Sequence, residues 1–196
     1  VKIVHAESGH RIESEKIIRT LHRYIEHYRI VEERWEVLSI DTHYDVWIED
    51  RARNTRYRFT PKPDLVVRFG GRVYFVDHKG AARLDAPKQA RLYSVSRSVL
   101  GQRWAGPHLF PGSFGGVILN MVQRDGERFA RPSLDPVPDL VARFPEVVVH
   151  DERGIADLDA SGLAPRDWPR AAHGDACWTR FGPCPHLAKR CSWGSA

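Results

Sequence analysis

The sequence predicts a mixed α/β fold, a central sheet covered by helices. Three observations point there. Residues 11–29 carry apolar side chains at helical spacing, residues 65–77 read as two short strands around a Gly-Gly turn, and a second helical stretch at 86–100 precedes another apolar strand at 115–124. The predicted order is one helix, three strands, a helix and a strand, followed by a Pro-rich tail that holds all three cysteines.

Each element has its own signal. In RIESEKIIRTLHRYIEHYR, Ile12, Ile17, Ile18, Leu21, Ile25 and Tyr28 approximate a 3.6-residue stripe, with charges elsewhere. WEVLSIDTHYDVWI (35–48) is β-branched and aromatic and reads as strand, and RARNTRYR (51–58) as a basic turn or strand edge. Leu65-Val66-Val67 and Val73-Tyr74-Phe75-Val76 flank Gly70-Gly71, which predicts a hairpin over 65–68 and 72–77. APKQARLYSVSRSVL (86–100) reads as a helix with Pro87 in its first turn and Gly101 as its stop. GPHLFPGS (106–113) reads as a loop, and GGVILNMVQR (115–124) as a strand buried on both faces. Residues 132–170 are rich in Pro and Asp and predict only a short helix at 140–144. The expected division is a core over 1–135 and a cysteine-bearing tail over 136–196 that packs back on it.

Composition narrows the function classes. The chain has 196 residues, is 42% hydrophobic and carries a formal charge of +5, which permits a polyanionic partner without proving one. No apolar run reaches the roughly 18 residues that span a bilayer, and VKIVHAESGH is too polar for a signal peptide. A cytoplasmic location is therefore expected, with no membrane partner. The chain begins at Val1, so the natural protein is expected to extend upstream or to have lost a leader or tag. Cys177, Cys184 and Cys191 are odd in number and clustered, which argues against a secreted disulfide framework and for a metal site in a reducing compartment.

The hairpin ends in chemistry. Twelve residues separate Asp64 from Asp77, and the turn folds one strand back on the other, so the two carboxylates meet at matching ends. Lys79, two residues past Asp77, points to the same face. Converging carboxylates bind a hard divalent cation such as Mg²⁺ or Mn²⁺, and the His78 carbonyl adds an oxygen. A lysine on that face can orient a water or neutralise developing charge. This is the equipment of phosphodiester hydrolysis. Without the strand context the same residues would read as a strand cap and a solvated strand end.

P-D…V-D-H-K, PDLVVRFGGRVYFVDHK in full, resembles the PD-(D/E)XK nuclease superfamily and its RecB-like, phage-type exonuclease branch. The resemblance extends over about residues 15 to 191. It implies a restriction-endonuclease-like core with a mixed central sheet, Mg²⁺ or Mn²⁺, and DNA as substrate. Gln89 and Tyr93 match the Gln-x-x-x-Tyr pair of that branch and lie one turn apart on one helix face, able to reach the DNA backbone. IRTLH (18–22) matches the early-helix metal-ligand motif, with Ile18 at the glycine position and His22 as the ligand; His10 is a rival. Asp41 or Glu36 would be a supporting acid or a surface carboxylate. Arg83, Lys88 and Arg91 would meet phosphates, as would the arginines of 51–58, so binding should weaken with salt. Trp104 and Phe110 would stack bases or lie in the core.

DACWTRFGPCPHLAKRC (175–191) is similar to the cysteine-bearing C-terminus of these relatives, where three cysteines and one from upstream hold a [4Fe-4S] cluster. No upstream cysteine is present here. The fourth ligand would lie outside this sequence, or His5, His10, His173, His186 or water would serve, or the metal would be Zn²⁺. Expected partners beyond DNA are a helicase, recombinase or integrase subunit, in repair, CRISPR adaptation or phage recombination in a host cytoplasm. Two other readings are a non-catalytic DNA-binding or assembly module on the same fold, and a hydrolase of another phosphoester.

Overall fold

The structure, a computed structural model, describes residues 11–32, 34–123, 128–163, 178–179 and 182–183. Cys177, Cys184, Cys191, His5, His10, His173 and His186 lie outside these residues. The chain divides into two compact units, residues 1–149 and 150–196, and the division expected at 135 falls inside the first. The described part of the second unit is a helix end and two two-residue strands, β8 (Trp178–Thr179) and β9 (Gly182–Pro183), paired antiparallel.

The first unit is α/β, with a mixed five-stranded sheet in the order β1-β4-β5-β6-β7. Its centre is the predicted hairpin. β4 (Leu65–Phe69) and β5 (Arg72–Ala81) pair antiparallel from Leu65↔Val76 to Phe69↔Arg72. Gly70 and Gly71 turn the chain at φ 57° and 75°, the left-handed pair of a tight hairpin that other residues enter only with strain. Val66, Val67, Phe75 and Val76 are all wholly buried, because helices cover both sides of the sheet here. Each such side chain contributes about 1.5–3 kcal/mol.

β6 (Phe114–Gln123) lies parallel to β5, which demands a crossover. Helices α2 (Ala86–Ser94) and α3 (Arg97–Leu109) provide it, packing Ala90, Tyr93 and Val99, with Leu84 from the segment before α2, on Leu119 and Met121. β7 (Phe129–Ala130) closes that edge, and β1 (Glu36–Ile40) the other. Helix α1 (Arg11–Glu32) covers the opposite face, with Tyr24 and Tyr28 against Phe129. The face α1 buries is not the expected aliphatic stripe. Thr20, Tyr24, Tyr28 and Glu32, four apart, turn inward, while Ile17, Leu21 and Ile25 are more than half exposed.

Four further expectations change. The single strand read over 35–48 is two, because Asp41 takes a left-handed φ of 51° and turns the chain out of the sheet. The second piece, β2 (Val46–Asp50), pairs instead with β3 (Thr55–Phe59) in a separate hairpin, so RARNTRYR is half turn and half strand. The helix read over 86–100 breaks at Val95, where the Ser96 hydroxyl accepts from Val99 N–H and starts α3. Residues 106–109, read as loop, continue α3, and Gly101 sits inside it. A Cβ on Gly101 would stand 2.5 Å from Phe59 and 2.8 Å from Phe144. Gly101→Val should therefore cost about 1–3 kcal/mol through overpacking, read as a lowered urea midpoint with unchanged slope. Finally, the Pro-rich stretch holds a long helix, α4 (Pro138–Ala160), because proline is tolerated in a first turn and Pro145 does not end it. Among the described residues no helix is long and apolar enough to cross a membrane.

Candidate active site

The β4–β5 register fixes the acids. One step beyond the Leu65↔Val76 pair it sets Asp64 opposite Asp77. Asp64 Oδ2 accepts the His78 main-chain N–H at 2.6 Å, which ties the loop acid to the strand that carries its partner. Asp77 is only 4% exposed at the end of an apolar strand, and a charge that deep needs partners. Lys79, on the same face, holds Nζ 2.5 Å from Asp77 Oδ2. That oxygen is buried and has no aligned hydrogen bond, so the contact is an ion pair rather than a directed bond. The Lys79 ammonium also stands 5.8 Å from the centre of the Tyr93 ring.

The structure thus brings Asp64, Asp77, Lys79 and Tyr93 together across β4, β5 and α2. Gln89 lies one turn before Tyr93, but its amide is engaged locally. Its Oε1 accepts from Asp85 N–H at 3.1 Å and its Nε2 donates to Arg83 O at 3.3 Å, closing the start of α2 while Asp85 Oδ1 accepts from Lys88 N–H. Arg83, Lys88 and Arg91 are exposed along this stretch, open to a polyanion.

His22 is not brought to the acids. It is exposed on α1, and Tyr24, two residues on, contacts the sheet face opposite Asp77 and Lys79. Among the described residues no three His, Cys, Asp or Glu side chains converge on one point. Asp41 pairs with Lys62 at 2.7 Å and Glu36 with Arg68 at 2.6 Å, so both proposed supporting acids are held in surface ion pairs. Trp104 packs on Phe59 and Phe144, and Phe110 on Tyr44 and Phe75, both half-buried in aromatic contacts. Of the 51–58 arginines, Arg56 lies over the exposed Trp47 ring and Arg58 pairs with Asp45.

Two features escaped the sequence. The first is Gln102 on α3, 3% exposed, whose Nε2 donates to Asp77 Oδ1 at 3.4 Å. The available signal was a polar residue in the inward register of Val99, three positions on. The second is a polar network behind the site. His78 faces away from Lys79, and its Nδ1 meets Asn120 Nδ2 at 2.6 Å. Wholly buried Asn120 also donates to Tyr24 OH and accepts from Arg131 Nε. Arg131 donates to Tyr24 OH, pairs with Glu32 and lies 3.6 Å from the Tyr28 ring centre.

Burial pushes the Tyr24 phenol up to about 12, and Glu32, which accepts the hydroxyl's hydrogen bond, adds to the rise; Arg131 opposes it. The native state then keeps this proton where the unfolded chain has lost it. Stability present below pH 10 should fall as pH rises from 10 toward 12. Tyr24→Phe should flatten that decline in urea titrations at pH 9 to 12.

The donor set suits a hard cation. Asp64 and Asp77 carboxylates with the His78 carbonyl offer only oxygen, and Asp77 Oδ2 is a buried acceptor without a hydrogen bond. Mg²⁺ is commonly held through one or two carboxylates while keeping waters, so two acids suffice.

No protein-family model matches the chain, and no curated protein matches it. Among solved structures it is similar to the crystal structure of SSO0001, with 13% identity and a TM-score of 0.39 over 79% of this chain and 72% of that one.

Proposed function

We propose that this chain is a metal-dependent DNA nuclease, hydrolysing phosphodiesters at Asp64, Asp77 and Lys79. The observation that carries the reading is the Lys79 ammonium 2.5 Å from Asp77 Oδ2, on the strand whose register sets Asp64 opposite. Asp64, Asp77 and the His78 carbonyl would hold Mg²⁺ or Mn²⁺, which supplies Lewis-acid polarisation of the phosphate and a more acidic water. Lys79 orients the attacking water and offsets charge building on the phosphoryl oxygens. The Tyr93 ring flanks the ammonium and limits where it can swing. Arg83, Lys88 and Arg91 supply the cationic track along which a DNA backbone would lie.

End-labelled single- and double-stranded DNA, incubated with Mg²⁺, Mn²⁺ or EDTA, tests this. Metal-dependent degradation that disappears in Asp77→Asn is the expected result. DNA retained in a mobility-shift assay but never cut would favour a binding module instead. The cysteine part of the proposal, a [4Fe-4S] cluster or Zn²⁺ at Cys177, Cys184 and Cys191, is tested by iron, sulfide and zinc content of the purified protein.

A further inference from the structure

We propose that Gln102 is a positioning residue for the metal site, fixing the plane of the Asp77 carboxylate. The proposal rests on the nuclease reading. Asp77 has two oxygens, and the structure divides them between two neighbours. Oδ1 accepts from Gln102 Nε2 at 3.4 Å, and Oδ2 faces Lys79 Nζ at 2.5 Å. The amide orientation is dictated by chemistry, because an ionised carboxylate only accepts and Gln102 must turn its NH₂ toward it. The consequence is visible on the other side of the amide. Gln102 Oε1 is buried without a hydrogen-bond partner.

That orphaned acceptor is a stability cost, offset only in part by the bond from Nε2 to Asp77. Gln102 lies on the buried face of α3 with Val99, Leu100, Ala105 and Gly106, where an aliphatic side chain of similar length would be accommodated. A polar group kept there at a cost, and aimed at a carboxylate on an active-site strand, acts on that carboxylate. With Oδ1 tied to Gln102, Oδ2 is the oxygen left to the lysine and to a cation, and it is itself buried. Partners that orient metal ligands in this way typically affect metal affinity about ten- to hundred-fold.

The test is Mn²⁺ binding to the full chain, measured by calorimetry and by electron paramagnetic resonance of free Mn²⁺, together with thermal melting. The proteins are wild type, Asp77→Asn, Gln102→Leu and Gln102→Met. Wild type should bind Mn²⁺ and Asp77→Asn should not. Gln102→Leu and Gln102→Met should bind about ten- to hundred-fold more weakly while their melting temperatures move little, since the Asp77 Oδ1 acceptor they unpair is offset by the unpaired Gln102 Oε1 they remove. A purely structural glutamine predicts the reverse, lowered melting with unchanged affinity. Unchanged affinity in both Gln102 variants, with Asp77→Asn abolishing binding, overturns the positioning role and leaves the nuclease reading standing. Equal binding by wild type and Asp77→Asn overturns both. Two variants of different shape keep the result readable if one does not fold.

Discussion

Lys79→Ala should lower the DNA-cleavage rate by about 10²- to 10⁴-fold, the range expected when a positioned group that handles a proton or a developing charge is removed. Its melting temperature should also fall, because Asp77, its side chain only 6% exposed, is left a buried carboxylate with the Gln102 amide but without its cation. Binding offers the sharper discrimination. The ammonium stands 2.5 Å from Asp77 Oδ2, so it repels any divalent cation that shares that oxygen. Mn²⁺ affinity should therefore be kept or increased in Lys79→Ala while turnover collapses. Lost affinity together with lost turnover would mean that the lysine organises the acids rather than acting on the reaction. Lys79→Arg should not restore the rate, because a planar guanidinium cannot place a compact charge at the same point.

The second large effect is on stability. Arg131→Met should destabilise the fold by about 3 kcal/mol, because removing one member of a largely buried ion pair leaves the other uncompensated. Arg131 is 14% exposed and serves Glu32, Tyr24 and Asn120 at once, with its guanidinium over Tyr28 and Trp35. Loss would leave the Glu32 carboxylate and the Asn120 carbonyl without their cation. Adding Glu32→Gln should recover part of the loss, since the stranded charge goes with it. Chemical denaturation of the single and double variants measures this coupling. A single-variant cost under 1 kcal/mol would show that Glu32, 30% exposed, is solvated well enough to stand alone.

The central hairpin was legible because its signals are local and agree. Two apolar runs, a Gly-Gly turn and acids at matching distances from it leave one register that buries the valines, and that register sets Asp64 opposite Asp77. Lys79 followed from strand alternation alone. The helix carrying Gln89 and Tyr93 was legible in type but not in its end, because Ser96 caps a new helix where the apolar pattern runs on unbroken. Gln102 was hidden for the same reason. A glutamine in a helix ordinarily faces water, and only the tertiary fold shows that this one points inward.

α1 misled differently. Its aliphatic residues looked like the core stripe, yet the sheet face it covers holds His78, Asn120 and Arg131, and hydroxyl-bearing tyrosines match that face better than isoleucines do. His22, placed by resemblance, then turned outward with the rest of that helix surface. The helix over 138–160 was obscured by prolines at its start and inside it.

The parallel pairing of β5 with β6 sets an order on folding. Asp64 and Asp77 are joined through a two-glycine hairpin, a closure of the kind that completes in about 1–10 μs. β6 pairs with β5 only after the chain has crossed through α2 and α3, and such non-local closure is slow. The two acids can therefore face each other early in folding, whereas the partner of Asp77 on α3 arrives with the crossover. Mutations in the Gly70–Gly71 turn should slow folding, and mutations in the α3 packing should chiefly speed unfolding.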